Sequence, residues 1–150
     1  MATTYRTKLK VRFGDIDQAG IVYYPKFLHY FHIALEEFFS HELAIDYPTV
    51  VLKHHIGLPT VHLETDFRNP LRYGDVFEVE VRVLSIGETS IKFGYTAYFE
   101  NQDIVALEGH NITVCVEMQT FKKMKVPGWL REKLSAYQER SGNDSQSGVS

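Results

Sequence analysis

The chain has 150 residues, 44% hydrophobic and 23% charged, which suits one globular domain and excludes a wholly disordered chain. Sixteen Lys and Arg against nineteen Asp and Glu give a formal charge of −3, so no overall basic field exists to hold nucleic acid. No apolar run approaches the roughly 20 residues of a membrane helix, the first residues lack the apolar core of a signal peptide, and the single cysteine, Cys115, excludes an internal disulfide and Cys-based metal sites. A soluble cytoplasmic protein is the expectation.

Leu9, Val11 and Phe13 alternate with Lys8, Lys10 and Arg12, which predicts a strand over Thr7–Phe13 with one wet face. Gly14 to Gly20 reads as a loop. Pro25 suits a first helical turn, and Phe27, Tyr30, Phe31, Ala34, Leu35 and Phe38 then recur at helical spacing, predicting a wide-faced apolar helix from about Lys26 to Leu43. Pro48 and Gly57 bracket a segment with room for a short helix. Strands are predicted over Thr60–Phe67, with Val61, Leu63 and Thr65 opposite His62, Glu64 and Asp66, and over Val76–Ile86, Ser90–Glu100 and Ile104–Met118. Gly109 is read as a bulge in the last of these. Pro127 to about Arg140 predicts a closing amphipathic helix, and the polar stretch 141–150 a disordered tail. Four consecutive strands joined by short turns imply an antiparallel sheet, and only that sheet is large enough to cover the long helix. The expected architecture is a single α+β domain over 1–140. Its sheet edges are unprotected, and self-association would bury them.

The densest polar constellation lies between the first strand and the long helix: Gly14-Asp15-Ile16-Asp17-Gln18-Ala19-Gly20-Ile21-Val22-Tyr23-Tyr24-Pro25. A helix start offers free backbone N–H groups and the positive end of a dipole, which stabilise an oxyanion. A carboxylate beside it can serve as nucleophile or as general base on water. Aspartates before a helix also cap it, and Asp15 or Asp17 could do only that.

The run from Phe13 to Pro25 resembles the signature of the 4-hydroxybenzoyl-CoA thioesterase-like branch of the hotdog-fold acyl-CoA thioesterases. The resemblance extends from about Thr7 to Leu134 and includes Asn69-Pro70-Leu71-Arg72-Tyr73-Gly74-Asp75 and Val126-Pro127. It implies a hotdog fold, an antiparallel sheet wrapped around one long central helix. It implies hydrolysis of an acyl-CoA, aromatic such as 4-hydroxybenzoyl or aliphatic, to free acid and CoA. Asp17 falls on the family's catalytic carboxylate, as nucleophile or general base, and the backbone N–H of Tyr24 on its oxyanion donor. Gly20, Ile21, Val22 and Tyr23 become substrate-side residues. His32 stands where relatives often carry an acidic residue, so His29 and His32 are candidates for substrate or partner contact. The resemblance also implies sites between two subunits that pair their sheets, in homodimers or homotetramers. Neither a metal nor a separate cofactor is implied.

The phosphates of coenzyme A call for basic residues. Lys122, Lys123 and Lys125 form the only dense basic run, and the turn at Thr89 and Ser90, with Lys92, joins them on the resemblance; Arg68 and Arg72 are further candidates. His29 with His32, and His54 with His55, lack the carboxylates a metal site would need. Glu36 and Glu37 stand on the central helix, where another hotdog lineage keeps its glutamate. A non-catalytic acyl-CoA-binding module and an acyl-carrier-protein thioesterase are the rival readings, the latter with the lysine run as docking surface.

Overall fold

The structure is a computed structural model and describes residues 4–142. A five-stranded sheet is built from β1 (Tyr5–Lys10), β3 (Thr60–Phe67), β4 (Val76–Ile86), β5 (Ser90–Phe99) and β6 (Val105–Val114), in the order β1-β4-β5-β6-β3. Every neighbouring pair is antiparallel. β2 (Ile56–Gly57), β7 (Val116–Glu117) and β8 (Lys122–Lys123) form a small second sheet. The long helix α1 (Lys26–Glu42) lies on one face of the large sheet, and α2 (Gly128–Arg140) closes one end of the core. This is the expected α+β hotdog architecture, a sheet with one long helix against it.

Alternation decides the strand faces. Phe77, Val79, Val81 and Val83 of β4 are buried while the residues between them carry Glu78, Glu80 and Arg82 to the outer face. Against this layer α1 buries Phe27, Tyr30, Phe31, Ala34, Leu35, Phe38 and Phe39. Phe38 is fully buried, with the rings of Tyr5, Phe93 and Tyr137 around it at 4.7–6.4 Å. The Tyr137 hydroxyl donates to Val81 O at 2.6 Å and accepts from Tyr5 N–H at 2.8 Å, fixing α2 to β1 and β4.

Three details depart from expectation. The first strand ends at Lys10, because Asp15 accepts from Arg12 N–H at 3.0 Å and donates its own N–H to Arg12 O, closing a 3₁₀ turn over Phe13–Asp15; Phe13 therefore faces solvent beside Tyr73 rather than the core. The segment after Pro48 does form a short helix, one π turn over Thr49–Lys53, as its bracketing residues allowed. The long last strand breaks at Cys115, whose N–H turns to Thr89 O while its carbonyl accepts from Met124 N–H, so Val116 and Glu117 enter the second sheet. Gly109 is regularly paired with Thr65 and Tyr95 and is no bulge. It is instead a close approach, since a Cβ there would meet the Glu64 carbonyl. Of the expected tail, residues 143–150 lie outside the described residues.

β1 and β3 are the two sheet edges. β1 is short and lysine-bearing, which discourages further pairing. β3 is eight residues long and exposes Val61, Leu63 and Phe67.

Candidate active site

The 14–25 loop is held by backbone bonds at nearly every step. Ile16 and Val22 bridge as in a hairpin, and Ile21 bridges to Arg72. Asp17 N–H donates to Ile21 O and Gly20 N–H to Asp17 O, both at 3.0 Å, closing a tight turn over Asp17–Gly20. Gly20 sits at φ +82°, a left-handed conformation that favours glycine. Val22 N–H donates to Leu71 O and Tyr23 N–H to Asp15 O.

The two aspartates have different surroundings. Asp15 accepts from Arg12 N–H and, at 2.7 Å, from the Tyr30 hydroxyl, with Lys26 Nζ at 3.9 Å. Burial pushes the Asp15 carboxyl up, but the hydrogen bonds from Arg12 and Tyr30 and the nearby Lys26 and His29 outweigh it and hold it below the usual carboxylate range. Burial and the same hydrogen bond push the Tyr30 hydroxyl up. Asp15 is thus a rivet between loop and helix. Asp17 is exposed; its Oδ1 accepts from Ala19 N–H at 2.8 Å, which orients the carboxylate. Neither aspartate caps α1, whose N-cap is Pro25 without a side-chain hydrogen bond.

At the entry to α1 the N–H groups of Lys26, Phe27 and Leu28 donate to the carbonyls of Tyr23, Tyr24 and Pro25. Among the described residues nothing accepts from the Tyr24 N–H. A free donor at the positive end of a 17-residue helix is a preformed place for negative charge. Beside it opens a groove of about 350 Å³ between Tyr24, Phe27, Phe67 and Leu71, with Ile21 and Val22 on one rim and Arg68 on the other. Phe27, Phe67 and Leu71 escaped the sequence reading, because their apolar character is indistinguishable from core until the edge strand is seen to be open. Tyr23 is exposed and stacked obliquely on Tyr24.

His29 and His32 do not share a surface. His29 opens on the β1 flank of α1, beside Asp15 and Tyr30. His32 opens on the β3 flank, in a second cavity of about 140 Å³, and is held by Glu36 at 2.8 Å. Glu37 pairs with His41.

The candidate coenzyme residues gather, but at the other end of the sheet. Cys115 N–H donates to Thr89 O, Val126 N–H to Glu88 O, and Lys125 pairs with Glu88 at 3.4 Å, so the turn before Ser90 and the 122–126 segment are neighbours. Lys122 and Lys123 are exposed on β8. Lys92 lies on β5, its charge felt by Glu64. β4 begins beside the loop, where Val11 N–H donates to Asp75 O, and ends at the Thr89 turn; its eleven residues hold the two roughly 30 Å apart. Arg68 and Arg72 stand at the loop end, Arg68 paired with Glu108. A metal-ligand set not considered in the sequence, His62, Glu64 and His110, converges on the outer face of the sheet, with ligand atoms within 4.8 Å.

Residues 11–134 match the Thioesterase-like superfamily. A 1,4-dihydroxy-2-naphthoyl-CoA hydrolase of Crocosphaera subtropica is 30% identical over 127 residues, 81% of this chain and 91% of that one. The corresponding hydrolase of Synechococcus elongatus is 29% identical over 131 residues, 87% and 94% of the two chains. Among solved structures, a 1,4-dihydroxy-2-naphthoyl-CoA thioesterase from Synechocystis superposes with a TM-score of 0.79 at 23% identity, covering 88% of this chain and 96% of that one. A gentisyl-coenzyme A thioesterase superposes at 0.77 with 23% identity, over 87% and 99%. With this fold, a match over nearly the whole domain and a loop that sets a carboxylate beside a helix start, the chain belongs to the thioesterase-like superfamily.

Proposed function

We propose that this chain hydrolyses an acyl-CoA thioester with Asp17 as the reacting carboxylate and the Tyr24 N–H as oxyanion donor. The observation that carries the reading is the free N–H of Tyr24 at the start of α1, a residue that lines an apolar groove and ends the loop carrying the exposed, oriented Asp17 carboxylate. A thioester carbonyl over that N–H gains stabilisation as negative charge develops on its oxygen. Asp17 either attacks the carbonyl carbon or takes a proton from the water that does. CoA leaves as the thiol and the acyl group as the acid. The groove walls are apolar enough to hold an aromatic or an aliphatic acyl group. The named activities of the naphthoyl and gentisyl relatives favour the aromatic class.

The position of the basic cluster supports a homodimer. β4 and β6 run one way, β5 and β3 the other. A two-fold axis through an antiparallel pair of β3 edges sets one subunit's Thr89, Ser90 and lysine end beside the other's Asp17 loop. The roughly 30 Å separation within one chain then becomes proximity between two chains, and each site takes Asp17 and Tyr24 from one subunit and phosphate contacts from its partner.

The test is thiol release from a panel of acyl-CoAs, aromatic and aliphatic, short and long, with wild type and Asp17→Asn side by side. Turnover by wild type, lost in the variant, is expected. Tight CoA binding without thiol release from any of them would overturn hydrolysis in favour of a binding module.

A further inference from the structure

The outer face of the large sheet, opposite α1, carries a side-chain cluster that the proposed reaction does not use. His62 and Glu64 are two apart on β3, so both side chains take the same face. His110 on β6 stands directly opposite Glu64 in the antiparallel register. The residues next to them, Leu63 and Asn111, border a cavity under α1, so the three point the other way. Gly109 has no side chain to hold the strands apart here: a Cβ would meet the Glu64 carbonyl.

Both imidazoles bring Nε2 to one carboxylate oxygen. Glu64 Oε2 lies 2.8 Å from His62 Nε2 and 3.9 Å from His110 Nε2. The two rings are 6.1 Å apart and 29° from parallel. One ligand atom from each residue lies within 4.8 Å of the other two. A metal ion with bonds of about 2.0–2.2 Å holds neighbouring ligand atoms roughly 3.0–3.5 Å apart. The observed separations straddle that spacing. His62 and Glu64 are exposed and His110 is half-buried, so side-chain rotation brings all three onto one centre. Among the described residues no other three such groups converge; His32 with Glu36 and His41 with Glu37 are single pairs.

The surroundings accept a cation. Asp66 and Glu108 form the next pair along β3 and β6 on the same face. Of the nearby cations, Arg82 is drawn to Glu80 at 3.5 Å and Arg68 pairs with Glu108. The hydrogen bond from His62, with His110 and Lys92 close by, holds the Glu64 carboxyl below its usual range, so it is ionised near neutral pH. Glu64 and His110 open onto a depression of about 190 Å³, with room for water to complete a coordination shell.

We propose that His62, Glu64 and His110 bind one divalent transition-metal ion of the zinc class on the outer face of the sheet, clipping the edge strand β3 to β6. Two imidazoles and one carboxylate suit zinc, nickel or copper, whereas magnesium and calcium prefer all-oxygen sets. β3 has a hydrogen-bonded neighbour on one side only, so the clip adds a cross-link where the sheet is held least. All three ligands come from one chain, and the site stands whether or not the chain is a thioesterase.

The experiment is calorimetric titration of the untagged whole chain, freed of metal by chelator and dialysis, with Zn²⁺ and separately with Mg²⁺. One equivalent of Zn²⁺ per chain should bind, and Mg²⁺ at the same concentration should not. His110→Gln and Glu64→Gln should each weaken Zn²⁺ binding at least about tenfold, a loss that removing even an outer partner of a metal ligand can cause. His54→Gln with His55→Gln should bind as wild type. Saturating Zn²⁺ should raise the melting temperature of wild type and not that of His110→Gln. If either variant fails to fold, His62→Gln, at an exposed position, replaces it. Absence of Zn²⁺ binding overturns the proposal. So does binding that survives all the ligand variants, or that is lost with His54 and His55, since it is then adventitious binding by surface histidines. Binding without a rise in melting temperature overturns the clip.

Discussion

At the residue scale, the two loop aspartates separate cleanly by environment. Asn at position 17 keeps the oxygen that accepts from Ala19 N–H, so Asp17→Asn should leave stability within about 0.5 kcal/mol of wild type. Turnover should fall on the order of 10²–10⁴-fold, as expected for a lost acid–base or nucleophilic group. Melting curves and thiol-release rates on the same preparation check both. Asp15 carries the opposite burden. Its carboxyl lies below its ordinary value when folded, so its stabilising effect is present above the unfolded value of about 4 and is lost as pH falls further. Asp15→Ala, which strands Arg12 N–H and the buried Tyr30 hydroxyl, should cost about 1–3 kcal/mol near neutral pH. Urea denaturation of both proteins should show that gap shrinking below about pH 4. The motif made both aspartates visible in the sequence. Which one is exposed and which riveted depends on Tyr30, fifteen residues away, and on how β1 ends.

Among the elements, legibility followed local pattern. β4 reads directly because Phe77, Val79, Val81 and Val83 alternate without interruption, and α1 because its apolar residues keep helical spacing from Phe27 to Phe38. The break in β6 was not legible. Thr113, Val114, Cys115 and Val116 are all good strand residues, and what turns the chain is the bond from Cys115 N–H to a carbonyl in another hairpin. The exposure of Val61, Leu63 and Phe67 was hidden for a related reason: alternation assigns a side chain to a face but does not say whether that face is covered. In the proposed dimer, their exposure on an unpaired edge assigns the contact to β3. Val61→Lys with Leu63→Lys should therefore shift the protein to monomer in sedimentation, with loss of activity, since a lone chain lacks the partner's basic end. Unchanged sedimentation would place the contact elsewhere.

For the molecule as a whole, the proposed division of the site between two subunits predicts complementation. Asp17→Asn lacks the reacting carboxylate, and a chain with Lys122, Lys123 and Lys125 all changed to Glu repels the coenzyme phosphates. Each alone should be poor at low substrate. Unfolded together and refolded as a mixture, random pairing makes half the dimers mixed, and each mixed dimer has one intact site of two. About a quarter of wild-type activity should return at low substrate. A site contained in one chain would show no recovery. The fold, the order of elements, the family and, through the resemblance, a site shared between subunits were all accessible from the sequence; the roughly 30 Å between loop and lysines was not, because it exists only once β4 is laid out straight.

Cys115 has a practical consequence. The only thiol of the chain is fully buried where β6 breaks, and burial pushes it up to about 11, with Arg131 pulling the other way. Reagents that colour with the free thiol of CoA should pass over the folded enzyme, giving the release assay a dark background. Once the chain unfolds, one equivalent per subunit should react at once. The protein thus carries its own integrity indicator: in a single cuvette, an early rise proportional to enzyme counts denatured molecules, and the rise proportional to substrate counts turnovers.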